Sequence, residues 1–298
     1  MKKNILWLME GFVMTAMSWS CNGGKNTTGA PATIMATESQ TVKELPLPDV
    51  PPSITEPEER AAYAVRHFWD SLNPSDHTQS LDTALMEQTF ANFISLLPYS
   101  TEDARNEAVT AFADRCSADS DVYDLAAYIS HHYLDDPNSP MRNEELYIPF
   151  LRRFASDPKL TEAKRERAAY RLEQAMKNRP GTKTADFRLL TREGKASTLL
   201  RELKDTTLVI FYDYDCEHCK ETVARLEDPA AGVKYPVVAV EATEDKDGWD
   251  ATKAGMPKEW TICFATDPLD GESYYFPALP SLYLLAGDGT VLVKDVFF

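Results

Sequence analysis

Positive charge is scarce in this chain. It holds 31 Lys and Arg against 47 Asp and Glu, a formal charge of −16 at pH 7. No basic stripe offsets phosphate repulsion, which excludes a nucleic-acid partner, and an anionic membrane surface would repel the folded part. Apolar runs long enough to cross a bilayer are missing as well. The stretch over residues 5–17 is too short and carries Glu10 inside it. Cysteine is rare, five in 298 residues, and its spacing is not that of a disulfide scaffold. Histidine is equally rare at five. No second Cys/His knuckle stands at ligand spacing, so neither a metal nor another cofactor is expected. What remains is a 43% hydrophobic chain, long enough to bury two cores.

The cysteines that are present carry the chemistry. Cys216-Glu217-His218-Cys219 follows directly on the apolar run Leu208-Val209-Ile210-Phe211-Tyr212. A strand that enters a helix through a short acidic loop sets the first cysteine at the helix N-terminus. There unpaired N–H groups and the helix dipole stabilise a thiolate. The second cysteine, one turn on, is within reach of a reversible disulfide. Cys216 therefore reads as the attacking thiolate and Cys219 as the resolving thiol. A cationic His218 favours the thiolate, whereas Asp213, Asp215, Glu217 and Glu221 oppose it. The carboxylates outnumber the histidine, which tilts the expectation toward a reductant. Cys116 and Cys263 read as small buried hydrophobes. A peroxiredoxin would carry threonine where Asp213 stands, so that reading is set aside.

Four segments are expected. Residues 1–21 read as a signal peptide with Lys2 and Lys3 at its start, and residues 22–52 as a Gly-, Thr-, Ser- and Pro-rich flexible tether. Residues 53–179 show helical periodicity throughout, with six amphipathic helices separated at Pro98, Pro137, Pro140 and Pro158. The first carries Val65, Phe68, Trp69 and Leu72 on one face. His131 and His132 are expected at a partly exposed surface. Residues 180–298 alternate strands and helices, ending in two strands around Gly287-Asp288-Gly289. The fold class is an all-α N-terminal domain followed by an α/β domain with a central mixed sheet. The acidic run Glu241, Glu244, Asp245 and Asp247 reads as a solvated loop and helix start. Tyr274, Tyr275 and Phe276 fit either an apolar docking rim or the core.

Ser18-Trp19-Ser20-Cys21 resembles a bacterial lipobox, which would make Cys21 the lipidated first mature residue, although Ser18 and Trp19 depart from the usual residue types. The C-terminal segment resembles the thioredoxin fold, in its TlpA/ResA-type branch of membrane-tethered thiol–disulfide oxidoreductases. Four features in order carry the likeness: Gly181 with Ala185-Asp186-Phe187; Gly194-Lys195 with Ser197 and Leu199; the Cys216–Cys219 centre; and Leu279-Pro280-Ser281 ahead of the last two strands. The resemblance implies a cis Leu279–Pro280 bond beside the sulfurs, with the backbone of Leu279 pairing a client peptide. Glu217, His218, Glu221, Leu279 and Pro280 would support the site. It also implies protein disulfides as substrates, apocytochrome cysteines included, a membrane electron donor of the thiol-transfer type, and a lipid-anchored position in the cell envelope facing the periplasm. The helical segment, with His67-Phe68-Trp69-Asp70 and the phrase running from Asp136-Pro137 to Asn143-Glu144, resembles a helical domain of unknown function found ahead of such lipoproteins.

Three departures matter. His218 replaces the usual proline between the cysteines. Ile210 stands where thioredoxin has a buried acid, and Thr222 where the TlpA/ResA branch has one, with Glu221 a step earlier on a different helix face. The fold normally ends in a helix over one sheet face, so that face is expected to be covered by the helical domain or a partner, or the sequence is truncated. The alternative to an enzyme is a non-catalytic envelope adaptor whose two domains bind partner proteins.

Overall fold

Amphipathic periodicity and side-chain caps build the first half. The computed structural model describes residues 44–231 and 233–295, so Cys21, the signal segment and most of the tether lie outside the described residues. Among the described residues seven helices come first: α1 Pro57–Arg66, α2 His77–Ser80, α3 Thr83–Leu96, α4 Glu102–Cys116, α5 Ser120–Leu134, α6 Glu144–Ser156 and α7 Glu162–Ala175. Five of them open on a side chain that accepts a free N–H: Asp76 from Thr78, Asp82 from Leu85, Thr101 from Ala104, Asp119 from Val122 and Asn143 from Leu146. The apolar faces close on an aromatic centre, where the Trp69 and Phe112 rings lie 4.5 Å apart and those of Phe90 and Phe150 lie 5.7 Å apart. Pro149 sits inside α6 without ending it, because Tyr147, Ile148, Phe150 and Leu151 are all buried on that helix.

Two elements differ from the periodic expectation. Phe68, Trp69 and Leu72 are buried, but α1 stops at Arg66 and tight turns carry them inward. Phe68 N–H donates to Val65 O, and Leu72 N–H to Trp69 O. The additional helix, α2, has only four residues, too few for a pattern to register.

The second half is one seven-stranded sheet: β1 Arg188–Thr191, β2 Ala196–Thr198, β3 Thr206–Tyr212, β4 Val237–Glu241, β5 Thr261–Ala265, β6 Ser281–Ala286 and β7 Val291–Lys294. Their order is β2-β1-β5-β4-β3-β6-β7. The β3 strand runs parallel to β4 and antiparallel to β6, and β4 runs parallel to β5. Both faces of β3 are buried, which explains its unbroken apolar sequence. Helices α9 Glu217–Glu227 and α10 Lys246–Thr252 accompany one core, around Ile210, Cys219, Trp249 and Leu282. The opposite core holds Phe211, Tyr274, Tyr283 and Leu199, the last from the short helix α8 Leu199–Glu202. Tyr274 is therefore core, its hydroxyl bonded to Thr184 Oγ1 and Ala185 O, while Tyr275 and Phe276 are half-buried.

The two halves are bonded together. Lys177 Nζ donates to Gly271 O at 2.7 Å and Asn178 Nδ2 to Ser273 O at 2.8 Å. A buried ionic cluster adds to the junction. Arg142 reaches Asp295 Oδ2 at 2.6 Å and Glu144 Oε1 at 3.1 Å, and Lys294 Nζ lies 2.5 Å from Glu144 Oε2. Arg142 and Glu144, from the helical half, thus meet the end of β7. On the β6–β7 part of the α9 face, Leu284 is half-buried and Val293 is exposed.

Candidate active site

The β3 strand delivers the chain into a three-residue loop, Asp213-Tyr214-Asp215, which local hydrogen bonds shape. Asp213 Oδ1 accepts Asp215 N–H at 2.8 Å, and Cys216 N–H donates to Asp213 O. Cys216 is then the N-cap of α9: its sulfur accepts Cys219 N–H at 3.2 Å. A helix N-terminus supplies this donor without any charged neighbour. The Cys216 thiol also lies 3.8 Å from Leu279 O, which accepts from it, and the Leu279–Pro280 bond is cis.

The two thiols are free and unequal. Cys216 is partly exposed, whereas Cys219 is 1% exposed and burial pushes its thiol well above the usual range. One sulfur is open to a partner and the other is held behind it. Cys116 and Cys263 are buried too, and burial pushes each up to about 12.

Most of the charges expected to compete at Cys216 stand in water, and only Asp213 is half-buried, its carboxylate turned to Asp215 N–H. His218 is 72% exposed, with Nδ1 3.8 Å from Glu221 Oε2, and Glu217 is 80% exposed beside Lys220. At such exposure solvent and salt screen both signs. The sulfur's direct partners are backbone groups instead. Glu221 points to solvent, and the buried position one step on is Thr222.

Glu241 departs from the expected solvated run. It is fully buried at the end of β4, opposite Tyr212 on β3. Its Oε2 accepts Tyr214 N–H at 2.8 Å and its Oε1 accepts Thr243 N–H at 3.1 Å. One carboxylate thus pins the loop that leads to Cys216. Burial pushes its carboxyl up to about 7. The signal was its place as the last residue of β4, a strand buried on both faces. The rest of the run behaves as expected: Glu244, Asp245 and Asp247 are exposed, and Asp245 caps α10. His131 and His132 are partly exposed, each facing an aspartate one turn on. Among the described residues no His, Cys, Asp or Glu cluster is arranged to hold a metal, and no helix is long and apolar enough to cross a membrane.

Residues 21–178 match the domain of unknown function DUF5106. The crystal structure of a thioredoxin-like protein from Bacteroides caccae is 32% identical, with a TM-score of 0.76; the match covers 86% of this chain and 96% of that one. The C-terminal domain of an uncharacterized protein from Bacteroides fragilis is 29% identical over 41% of this chain and 92% of its own, with a TM-score of 0.37. A thiol-disulfide oxidoreductase from Bacteroides fragilis is 19% identical over 39% of this chain and 92% of its own, with a TM-score of 0.33. No curated protein matches.

Proposed function

The chain belongs to the DUF5106 family and has a thioredoxin-like second half; we propose that it is a thiol–disulfide oxidoreductase of the cell envelope that reduces protein disulfides through Cys216 and Cys219. One observation carries the reading: a half-exposed thiol capping a helix, backed by a buried thiol and faced by a cis proline loop.

The chemistry follows from that inequality. The Cys216 thiolate attacks one sulfur of a client disulfide. The client S–S bond breaks, a Cys216–client disulfide forms, and the second client sulfur leaves as a thiolate that takes a proton. Cys219 then loses its proton and attacks the Cys216 sulfur, expelling the client as a dithiol and leaving a Cys216–Cys219 disulfide. Two electrons pass to the client. A dithiol donor of the thiol-transfer type returns the centre to its reduced form. Burial keeps Cys219 protonated in the reduced centre, so Cys216 is the sulfur that attacks the client first. Cys21 is the lipid attachment point in this reading, tethering the folded body to a membrane facing the periplasm.

Replacing Cys219 by serine tests the assignment. The Cys219→Ser protein should accumulate mixed disulfides with client proteins through Cys216, and they should vanish on reduction. Failure to trap any partner, with Cys216 free and reactive, would overturn the enzyme reading and leave the adaptor.

A further inference from the structure

A groove of about 300 Å³ opens beside the dithiol, and both halves of the described chain line it. His218 and Arg225 come from α9, Leu279 and Pro280 from the cis proline loop, and Pro137 and Arg142 from the helical region. Leu279, which lines the groove, also contacts the Cys216 thiol through its carbonyl, so the groove borders the reactive sulfur. The helical wall is fixed in place. The Arg142 side chain is only 6% exposed, bonded to Asp295 and Glu144, and its Nε is buried without a hydrogen-bond partner.

The charge left unengaged in the groove is positive. Arg225 is exposed and has no hydrogen-bond or ion-pair partner among the described residues. His218, on the same helix, faces Glu221 at 3.8 Å, which leaves Arg225 as the free charge. Asp295 also lines the groove, but Arg142 already holds it. The chain as a whole is strongly acidic at −16, so distant charge favours a basic client. At physiological salt, however, that field decays over about 8 Å, and groups in contact decide the choice.

We propose that the helical region forms one wall of the client-binding groove, and that the groove selects polypeptide disulfides flanked by acidic residues. The inference rests on the thiol–disulfide exchange reading. An extended client segment held by Cys216 lies over Leu279 and Pro280 and sets its flanking carboxylate against Arg225, with Pro137 and Arg142 on the far side.

Two short peptides test the selection. Each carries one disulfide, and they differ only in having Asp or Lys beside the cysteines. The reduced full chain is mixed with each, and its rate is divided by the dithiothreitol rate for the same peptide, which removes intrinsic reactivity. The acidic peptide should be favoured about two- to fivefold, the range supplied by one exposed ion pair. In Arg225→Glu the ratio should invert, and using a ratio cancels any general damage in the variant. Equal rates for the two peptides, or a ratio unmoved in R225E, would overturn the selection while leaving exchange intact. Reduction of neither peptide would instead overturn the exchange reading and this inference with it. The shared wall has its own readout. An Asp-flanked peptide bearing a benzophenone, trapped on Cys216 of the Cys219→Ser protein, should cross-link within residues 136–143. Cross-links confined to residues after 180 would refute a helical wall.

Discussion

Glutamine at position 241 tests the buried acid behind the redox loop. Glu241 is fully buried, and its carboxyl is pushed up from 4.5 to about 7. Between those values the folded state holds a proton that the unfolded chain releases. Stability is therefore greatest below the window and falls as pH rises through it. At about 1.4 kcal/mol per pH unit, the whole window is worth about 3 kcal/mol. Gln has nearly the same shape but no proton to lose, so its stability lacks this component. It also has one carbonyl acceptor where Glu241 serves two N–H groups, Tyr214 and Thr243. Losing one of those bonds costs about 1 kcal/mol. Urea unfolding of both proteins under reducing conditions, at pH 5 and pH 8, gives the comparison. Wild type and Glu241→Gln should be nearly equal in stability at pH 5, where about 1 kcal/mol of the window is already lost, and wild type should be the less stable by about 2 kcal/mol at pH 8. A stability difference that is the same at both pH values would show that Glu241 does not titrate in this window and would refute the argument.

Further predictions follow from burial elsewhere. Phe112→Ala should cost about 3–5 kcal/mol in urea unfolding, because the ring is 1% exposed among Trp69, Phe90 and Phe150. Glu144→Gln leaves Lys294 buried without its carboxylate and should cost about 3–5 kcal/mol, whereas Glu144→Leu with Lys294→Met should recover most of that loss. Brief iodoacetamide treatment of the reduced native protein should modify Cys216 at least about tenfold faster than Cys116, Cys219 or Cys263, as read by peptide mass spectrometry. In urea the rates should converge. Gly248→Ala brings a Cβ to 2.1 Å from the Tyr214 ring, so it should break the Tyr214–Asp245 hydrogen bond and raise Tyr214 fluorescence mobility.

The sequence reveals elements where one force dominates. Apolar periodicity places α3 to α7, and the unbroken run Leu208–Tyr212 announces a strand buried on both faces. Cys216 is identifiable as a helix cap because it stands between a strand and an amphipathic helix. The misses occur where short pieces or long-range packing decide. Three-residue β2 and four-residue α2 are too brief to show a period. Phe68, Trp69 and Leu72 have the expected burial but reach it through turns, since periodicity reports the buried face rather than the backbone path. Glu241 looks solvated beside Glu244 and Asp245, yet it is the last residue of a strand buried on both faces, where backbone donors meet it. The balance of charges around Cys216 depends on exposure, which residue types alone do not disclose. The helical wall of the groove depends on Arg142 meeting Asp295, 153 residues apart, and no local pattern encodes that contact.

The reduction potential of the Cys216/Cys219 pair, measured by equilibrating the full chain against glutathione and dithiothreitol, tests the central claim most directly. The account predicts a reversible disulfide with a potential near about −270 mV, in the range of thioredoxin-type reductants. A potential near about −120 mV, where strong oxidants lie, would contradict the reducing direction. Finding no reversible disulfide between Cys216 and Cys219 would contradict exchange chemistry altogether.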